Sequence, residues 1–190
     1  MSIPQRRERE RAERHRLIIS TARNLAEAEG WEAVTTRRLA ERIEYSQPVL
    51  YSHFAGKTEI VAAVAVEGFA ELAAELRAVI AEADGPAAAF AAAARKYLAF
   101  GLANPALYDA MFTLGTGLPF GRPDAPAPLK DAFEALAGAF ARAAGEGDPD
   151  VFTEVGWASL HGLVTLSRGG RLRPDLAEQR VELLVRRLLG

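Results

Sequence analysis

The chain has 190 residues, 49% hydrophobic and 25% charged, with a net charge of −2 and no cysteine, which excludes disulfides, thiolate metal sites and a cysteine nucleophile. Its longest apolar runs, IVAAVAV (60–66) and AAAFAAAA (87–94), fall far short of the ~18 residues that span a bilayer, so no membrane partner is expected. The N-terminal MSIPQRRERERAERHR lacks the apolar core of a secretory signal, and a cytoplasmic location is the expectation. Charge is unevenly spread: residues 1–57 hold 11 Arg/Lys and 8 Asp/Glu, residues 58–190 hold 12 and 17. A locally basic first third on an acidic remainder suits a small DNA-contacting head on a body that leaves DNA alone.

Periodicity is helical throughout, and strand signals are absent. After an arm over 1–9, a first helix is predicted from about Glu10 to Glu29, with Leu17, Ile18, Thr21, Ala22, Leu25 and Ala26 on one stripe. The arm belongs to a mixed Arg/Glu run, 6–16, that reads as a solvated helix start with i,i+4 pairs or as a minor-groove arm. Gly30 suits the left-handed C′ position, and Trp31 is placed to fold back on the last turn. Thr35 or Thr36 caps a second helix, Arg37–Ile43.

A third helix is predicted over Pro48–Phe54. Proline costs a helix interior roughly 3 kcal/mol but costs the first turn nothing, since the N–H groups there have no intrahelical acceptor. Pro48 therefore marks a helix start, with Ser46 or Gln47 as the cap. Two short helices joined by a tight turn form a helix-turn-helix, whose second helix enters the major groove by its N-terminal residues. Gln47 can pair with adenine N6/N7, and Pro48 and Val49 can pack on a thymine methyl. Tyr51, His53 and Lys57 can donate to phosphates, and Thr36 and Ser46 complete the DNA-facing set.

Beyond AGKTE (55–59) the elements are a long helix from Lys57 to about Ala83, then helices 87–103, a short one opened by NP at 104–105, 129–144, 151–168 and 175–189. GTGLPFGRPDAPAP (115–128) is a Gly/Pro-rich loop. The expected fold is all-α: a helix-turn-helix DNA-binding domain over 1–56, joined by the long helix to a helical body over 57–190, to which the family resemblance described next gives ligand-binding and dimerisation roles.

The run TTRRLAERIEYSQPVLYSHFAGKTEIV resembles the tetracycline-repressor (TetR) family signature, and QPVLYSHF is close to the recognition helix of its founding members. WASLHGLVTLSRGG (157–170) is similar to the Trp-His-Gly segment in the C-terminal domain of one branch of that family. The resemblance implies a homodimeric transcriptional regulator, most readily a repressor, with a palindromic operator and an effector pocket in each body. It also implies that helices eight and nine build the dimer interface. It places Arg37 and Arg38 at the DNA backbone. Where the family usually has glycine in the turn, this chain has Glu44. Either that residue bears the roughly 1–2 kcal/mol cost of positive φ, or the turn has another geometry.

In the body, the aromatics read first as core. Small neighbours leave room between helices, however, and an aromatic-lined cavity with few polar groups is what a small-molecule site looks like. The candidate ligand set is Phe90, Tyr97, Phe100, Tyr108, Phe112 and Phe133, with Trp157 and His161 one turn apart. The expected effector is small and hydrophobic. The candidate dimer set is Gly156, Ser159, Leu160 and Leu163 in the eighth helix and Ala177, Val181, Leu184 and Leu188, at 4-3-4 spacing, in the ninth. His15, His53 and His161 are isolated, and there is no HExxH, P-loop or GxGxxG, so neither an enzyme nor a metal or cofactor is expected. The alternative is a ligand-independent architectural DNA-binding dimer.

Overall fold

The computed structural model describes residues 2–140 and 148–189. Among them the elements are α1 (Ile3–Glu29), α2 (Thr36–Arg42), α3 (Gln47–Tyr51), α4 (Lys57–Ala81), α5 (Pro86–Ala103), α6 (Pro105–Phe112), α7 (Ala127–Phe140), α8 (Pro149–Arg168) and α9 (Ala177–Leu189), with 3-10 turns at Trp31–Ala33 and Pro174–Leu176. No strand occurs among the described residues, and no described helix is long and apolar enough to cross a membrane. The predicted end of the 129–144 helix lies outside the described residues beyond Phe140.

The chain packs as two compact units, one of residues 1–68 and 106–119, the other of 69–105 and 120–190. In this division α6 packs with the N-terminal helices of the first unit. The carboxylate of Glu27 in α1 accepts from Ala106 N and Leu107 N at 3.1 and 2.9 Å, taking up two free N–H groups at the start of α6. The Trp31 indole donates to Ala106 O at 2.7 Å. Gly68 of α4 lies so near α6 that a Cβ there would sit 2.7 Å from Leu107 Cδ1.

In the first unit, Ile18, Ala22 and Leu25 of α1 bury the predicted stripe against Val34, Leu39, Leu50, Phe54 and Val64. Leu17, placed on that stripe by sequence, is instead exposed. α1 begins at Ile3, not at Glu10, so residues 3–9 form a helical rod where an arm was expected. Its start is set by Pro4 in the first turn and by Ser2 N–H donating to Gln5 Oε1 at 2.9 Å. The pairs Arg6–Glu10 and Arg9–Glu13, at 3.3 and 3.5 Å, then run along the rod.

The turn after α2 resolves the question at Glu44. Thr35 is the cap of α2, accepting from Arg38 N at 3.2 Å. At the other end Tyr45 N bonds Ala40 O at 3.0 Å and Glu44 N bonds Glu41 O at 3.4 Å, the 6→1 and 5→2 pattern of a Schellman motif with Glu44 at C′. Glu44 has φ +58°, the sole non-glycine with positive φ among the described residues. Glu44→Gly is therefore expected to stabilise the protein by about 1 kcal/mol, the left-handed strain relieved less glycine's extra chain entropy. A urea titration with an unchanged or lower midpoint would show that the strain is absent.

The second unit is built on Leu72, Leu76, Phe90, Tyr97, Leu136, Phe140, Leu160 and Val164, all essentially inaccessible to solvent. Alanines 89, 93, 94, 132, 135 and 139 let its helices approach closely. Asp148 caps α8, accepting from Asp150 N and Val151 N at 2.9 and 3.3 Å. Arg95 of α5 pairs with Glu178 of α9, which holds the α9 start.

Candidate nucleic-acid interface

α3 is five residues long, with Ser46 in extended geometry as its N-cap and Pro48 in its first turn. Pro48 loses no bond there, and Val49 N and Leu50 N both reach Ser46 O, at 3.0 and 3.3 Å. Leu50 is 1% exposed and pins the helix to the core, while Gln47, Pro48 and Tyr51 are turned to solvent. A single buried leucine, the fourth of five residues, fixes which side chains of so short a helix face out. Val49 is half-buried beside them. Ser46 is exposed, and the hydroxyls of Thr36 and Tyr51 lie 3.4 Å apart, so α2 and α3 present one polar edge.

Around that edge the cations are less free than their residue types suggest. Arg37 donates from Nε to Glu41 Oε1 at 2.9 Å, an exposed i,i+4 pair that holds the guanidinium firmly protonated. Arg38 turns away from α3: its Nη2 binds both oxygens of Glu29 at 3.0 and 2.9 Å and its Nη1 reaches Ala33 O at 3.3 Å. Arg42 joins the same carboxylate at 3.1 Å. Lys57, half-buried, donates from Nζ to Trp31 O at 2.6 Å. Arg38 and Lys57 thus brace the turns around the second and third helices, and a role for either on phosphate competes with a bond already made.

His53 follows α3 and is half-buried. Burial, then the neighbouring His15, Arg11 and Arg14, hold its imidazole below the ordinary histidine range, favouring the neutral ring. His15 stacks on Phe54 with centroids 4.5 Å apart and lies 6.1 Å from His53. Glu29, Glu27 and His15 are missed by reading the sequence. Each gains its meaning from a partner on another element, which no local spacing announces.

The candidate ligand residues are drawn from both units. Tyr108 and Phe112 belong to the first unit, their rings tilted at 53° with centroids 4.7 Å apart, and Tyr108 is core there. The rest belong to the second unit. Phe90 packs on Phe140 at 4.3 Å, with both rings wholly buried, and Phe100 is buried as well. Trp157 and His161 sit one turn apart on α8, half-buried, with centroids 6.2 Å apart. The Trp157 indole donates to the buried Tyr97 hydroxyl at 2.9 Å. Burial holds the His161 imidazole below its ordinary range. Phe133 is half-buried on α7. In the Gly/Pro loop, Phe120 is nearly half exposed and packs edge-on against Phe69 at 5.7 Å.

Three candidate dimer residues are consumed inside the protomer. A Cβ on Gly156 would lie 2.6 Å from Phe140 Cε2, so this glycine exists to admit the Phe140 ring between α7 and α8. Leu160 and Val181 are buried in the same core. Ser159 Oγ bonds back to Val155 O at 2.9 Å; Leu163, Leu184 and Leu188 are half-exposed and Ala177 exposed. Among the described residues, the large apolar side chains exposed on these two helices are Val151, Val155 and Leu166 on α8 and Leu183 on α9. Val181, placed on the dimer seam by its 4-3-4 spacing, is instead buried, while Leu183 is exposed.

A short capped helix, a Schellman turn and a second short helix offering glutamine, proline and tyrosine, on an all-helical chain, define the class of helix-turn-helix regulators. The family described as bacterial regulatory proteins, tetR family, matches residues 18–64, and the tetracyclin repressor-like C-terminal domain matches residues 90–189. The chain belongs to the TetR family. Among curated relatives, it is 30% identical over 95 residues to the HTH-type transcriptional regulator YobS of Bacillus subtilis (strain 168), covering 50% of this chain and 49% of that one. It is 48% identical over 48 residues to the class C tetracycline repressor protein of Escherichia coli, covering 25% and 22%. The chain thus spans about half and about a fifth of these relatives.

Solved structures of like fold include a protein from Rhodococcus sp. RHA1 (TM-score 0.77, 24% identity, 92% of this chain and 93% of that one). PfmR, a TetR family transcriptional regulator of Thermus thermophilus, gives 0.64, 19%, 89% and 97%. RolR, solved in complex with the ligand resorcinol, gives 0.68, 20%, 94% and 88%. At these identities the likeness concerns the fold alone.

Proposed function

We propose that this chain is a homodimeric, ligand-responsive repressor that binds a palindromic operator through α3 and releases it when a small hydrophobic effector occupies the second unit. The observation that carries the DNA-binding part is the fixed outward presentation of Gln47, Pro48 and Tyr51 over buried Leu50. A glutamine amide there can pair with both N6 and N7 of adenine, and Pro48 supplies the apolar contact that a thymine methyl needs. Thr36, Ser46, Tyr51 and His53 line the edge as phosphate donors, and neutral His53 still offers one N–H.

The dimer follows from the exposed apolar side chains of α8. Val151, Val155, Gly162 and Leu166 recur at near-heptad spacing on one face, and the small residues among them allow a partner helix to approach. Leu163 on α8 and Leu183, Leu184 and Leu188 on α9 are also at least partly exposed and can extend the interface.

The effector part rests on Trp157, Tyr97 and His161. They combine two aromatic rings, a hydroxyl and an imidazole held neutral by burial, a set suited to an apolar molecule carrying one or two polar atoms. RolR, of like fold, was solved with resorcinol, a small aromatic. α4, continuous from Lys57 to Ala81, has residues in both units and is the natural coupler. The effector shifts DNA affinity only by its differential affinity for the two states. The test is a screen of small aromatic compounds by thermal shift and by release of bound duplex. A compound that raises Tm and releases DNA is expected, with both effects lost in Trp157→Ala. Compounds that do neither would favour the ligand-independent dimer, to which the full burial of Phe90, Tyr97 and Phe100 lends support.

A further inference from the structure

The first turns of α1 carry more positive charge than the protomer neutralises. Glu10 and Glu13 are taken by Arg6 and Arg9, whereas Arg7, Arg11, Arg14 and Arg16 make no ion pair among the described residues. Arg7, Arg11 and Arg14 stand at i, i+4 and i+7, and the same stripe continues as Ile18, Ala22 and Leu25, the buried face of the helix. The core stripe therefore turns cationic where α1 outruns the core. There it borders an open groove of about 370 Å³ lined by Glu8, Arg11, Ala12, His15 and Arg16 of α1 and by His53, two residues beyond α3.

We infer that this cationic stripe and groove form a second DNA-contacting surface, which holds backbone phosphates flanking the half-site read by α3. Clustering like charges beside a histidine costs the free protein, and a polyanion removes that cost. The groove offers guanidinium and imidazole donors over a small apolar floor at Ala12, with Glu8 as its one acidic wall, which matches a row of phosphates better than an apolar or cationic partner. Because residues 3–16 are helical, the stripe presents its arginines in fixed spacing, as a rod alongside the duplex. The inference rests on the reading that α3 binds DNA.

The experiment compares two duplexes, one ending at the outer edges of the half-sites and one with about a further helical turn on each side, ~10 bp. Dissociation constants are taken across a KCl series for the full chain and for an Arg7→Gln, Arg11→Gln, Arg14→Gln triple variant. The expected result is a steeper salt dependence for the wild type on the long duplex. In the triple variant the log–log slope there falls by about 5 per dimer, roughly 0.9 for each of six phosphate contacts, with little change on the short duplex. Arg6→Gln with Arg9→Gln, which removes paired arginines, should leave both slopes near wild type. Glu8→Gln, which removes the acidic wall, should tighten binding to the long duplex several-fold. A triple variant that retains the wild-type slope on the long duplex while melting normally would overturn the inference and leave the α3 reading standing. A wild-type chain that binds neither duplex would overturn both.

Discussion

Trp31→Ala should destabilise the protein by about 3–5 kcal/mol, the range for truncating a buried tryptophan, and so consume much of a domain's stability. Trp31 is 8% exposed and is bonded at both ends of the residue: the indole donates to Ala106 O at 2.7 Å and the carbonyl accepts from Lys57 Nζ at 2.6 Å. Truncation leaves a cavity, removes the donor for Ala106 and loosens α6, leaving Glu27 alone at the α6 start. Trp31→Phe keeps most of the packing and loses only the indole donor, so about 1–3 kcal/mol is expected. Urea unfolding with an unchanged m-value reads both. A loss under about 1 kcal/mol for Trp31→Ala would mean that α6 is held by other contacts.

Gly156→Val should cost about 1–3 kcal/mol or more through overpacking. The new Cβ would meet Phe140 Cε2 and Cδ2 at 2.6 and 2.8 Å, and that ring cannot swing aside because it is fully buried against Phe90 at 4.3 Å. The helical preference gained by replacing glycine, under ~1 kcal/mol and smaller for a β-branched residue, does not offset the clash. One residue away, Val155→Glu should behave differently. Its side chain is 53% exposed, so the charge meets water in the protomer and is costly only against a partner helix. The expected pattern is a lowered melting temperature for Gly156→Val, and a monomer in light scattering for Val155→Glu. A Val155→Glu chain that remains dimeric would remove the α8 face from the interface.

The two substitutions also show what sequence can and cannot disclose. α8 carries small and apolar residues on more than one edge, so spacing could not separate the stripe that meets Phe140 from the stripe that meets water. The same ambiguity put Val181 of α9 on the expected dimer seam, although it is buried in the protomer. By contrast the start of α3 was legible, because Pro48 is acceptable only in a first turn, whereas at Glu44 the sequence left strain and another turn geometry as alternatives, and φ +58° decides for strain. The early start of α1 was legible in principle. Ser2-Ile3-Pro4-Gln5 has the form of a capping box, and the pairs Arg6–Glu10 and Arg9–Glu13 carry the helix onward. The partners of Arg38, Lys57 and Glu27 were not legible. They depend on elements brought together by folding, 9, 26 and up to 80 residues apart in the chain.

Binding-site selection from a pool of random duplexes, run in parallel with the wild-type chain and Gln47→Ala, is the measurement that bears most directly on the proposed regulator. The wild type should enrich an inverted repeat with half-sites about one helical turn apart, ~34–36 Å, or slightly more. Gln47→Ala should enrich the same repeat with one or two positions per half-site degenerate, a loss of about 1–3 kcal/mol of discrimination at each. A wild-type pool that stays random, or a Gln47→Ala pool identical to the wild-type one, would contradict base reading by α3.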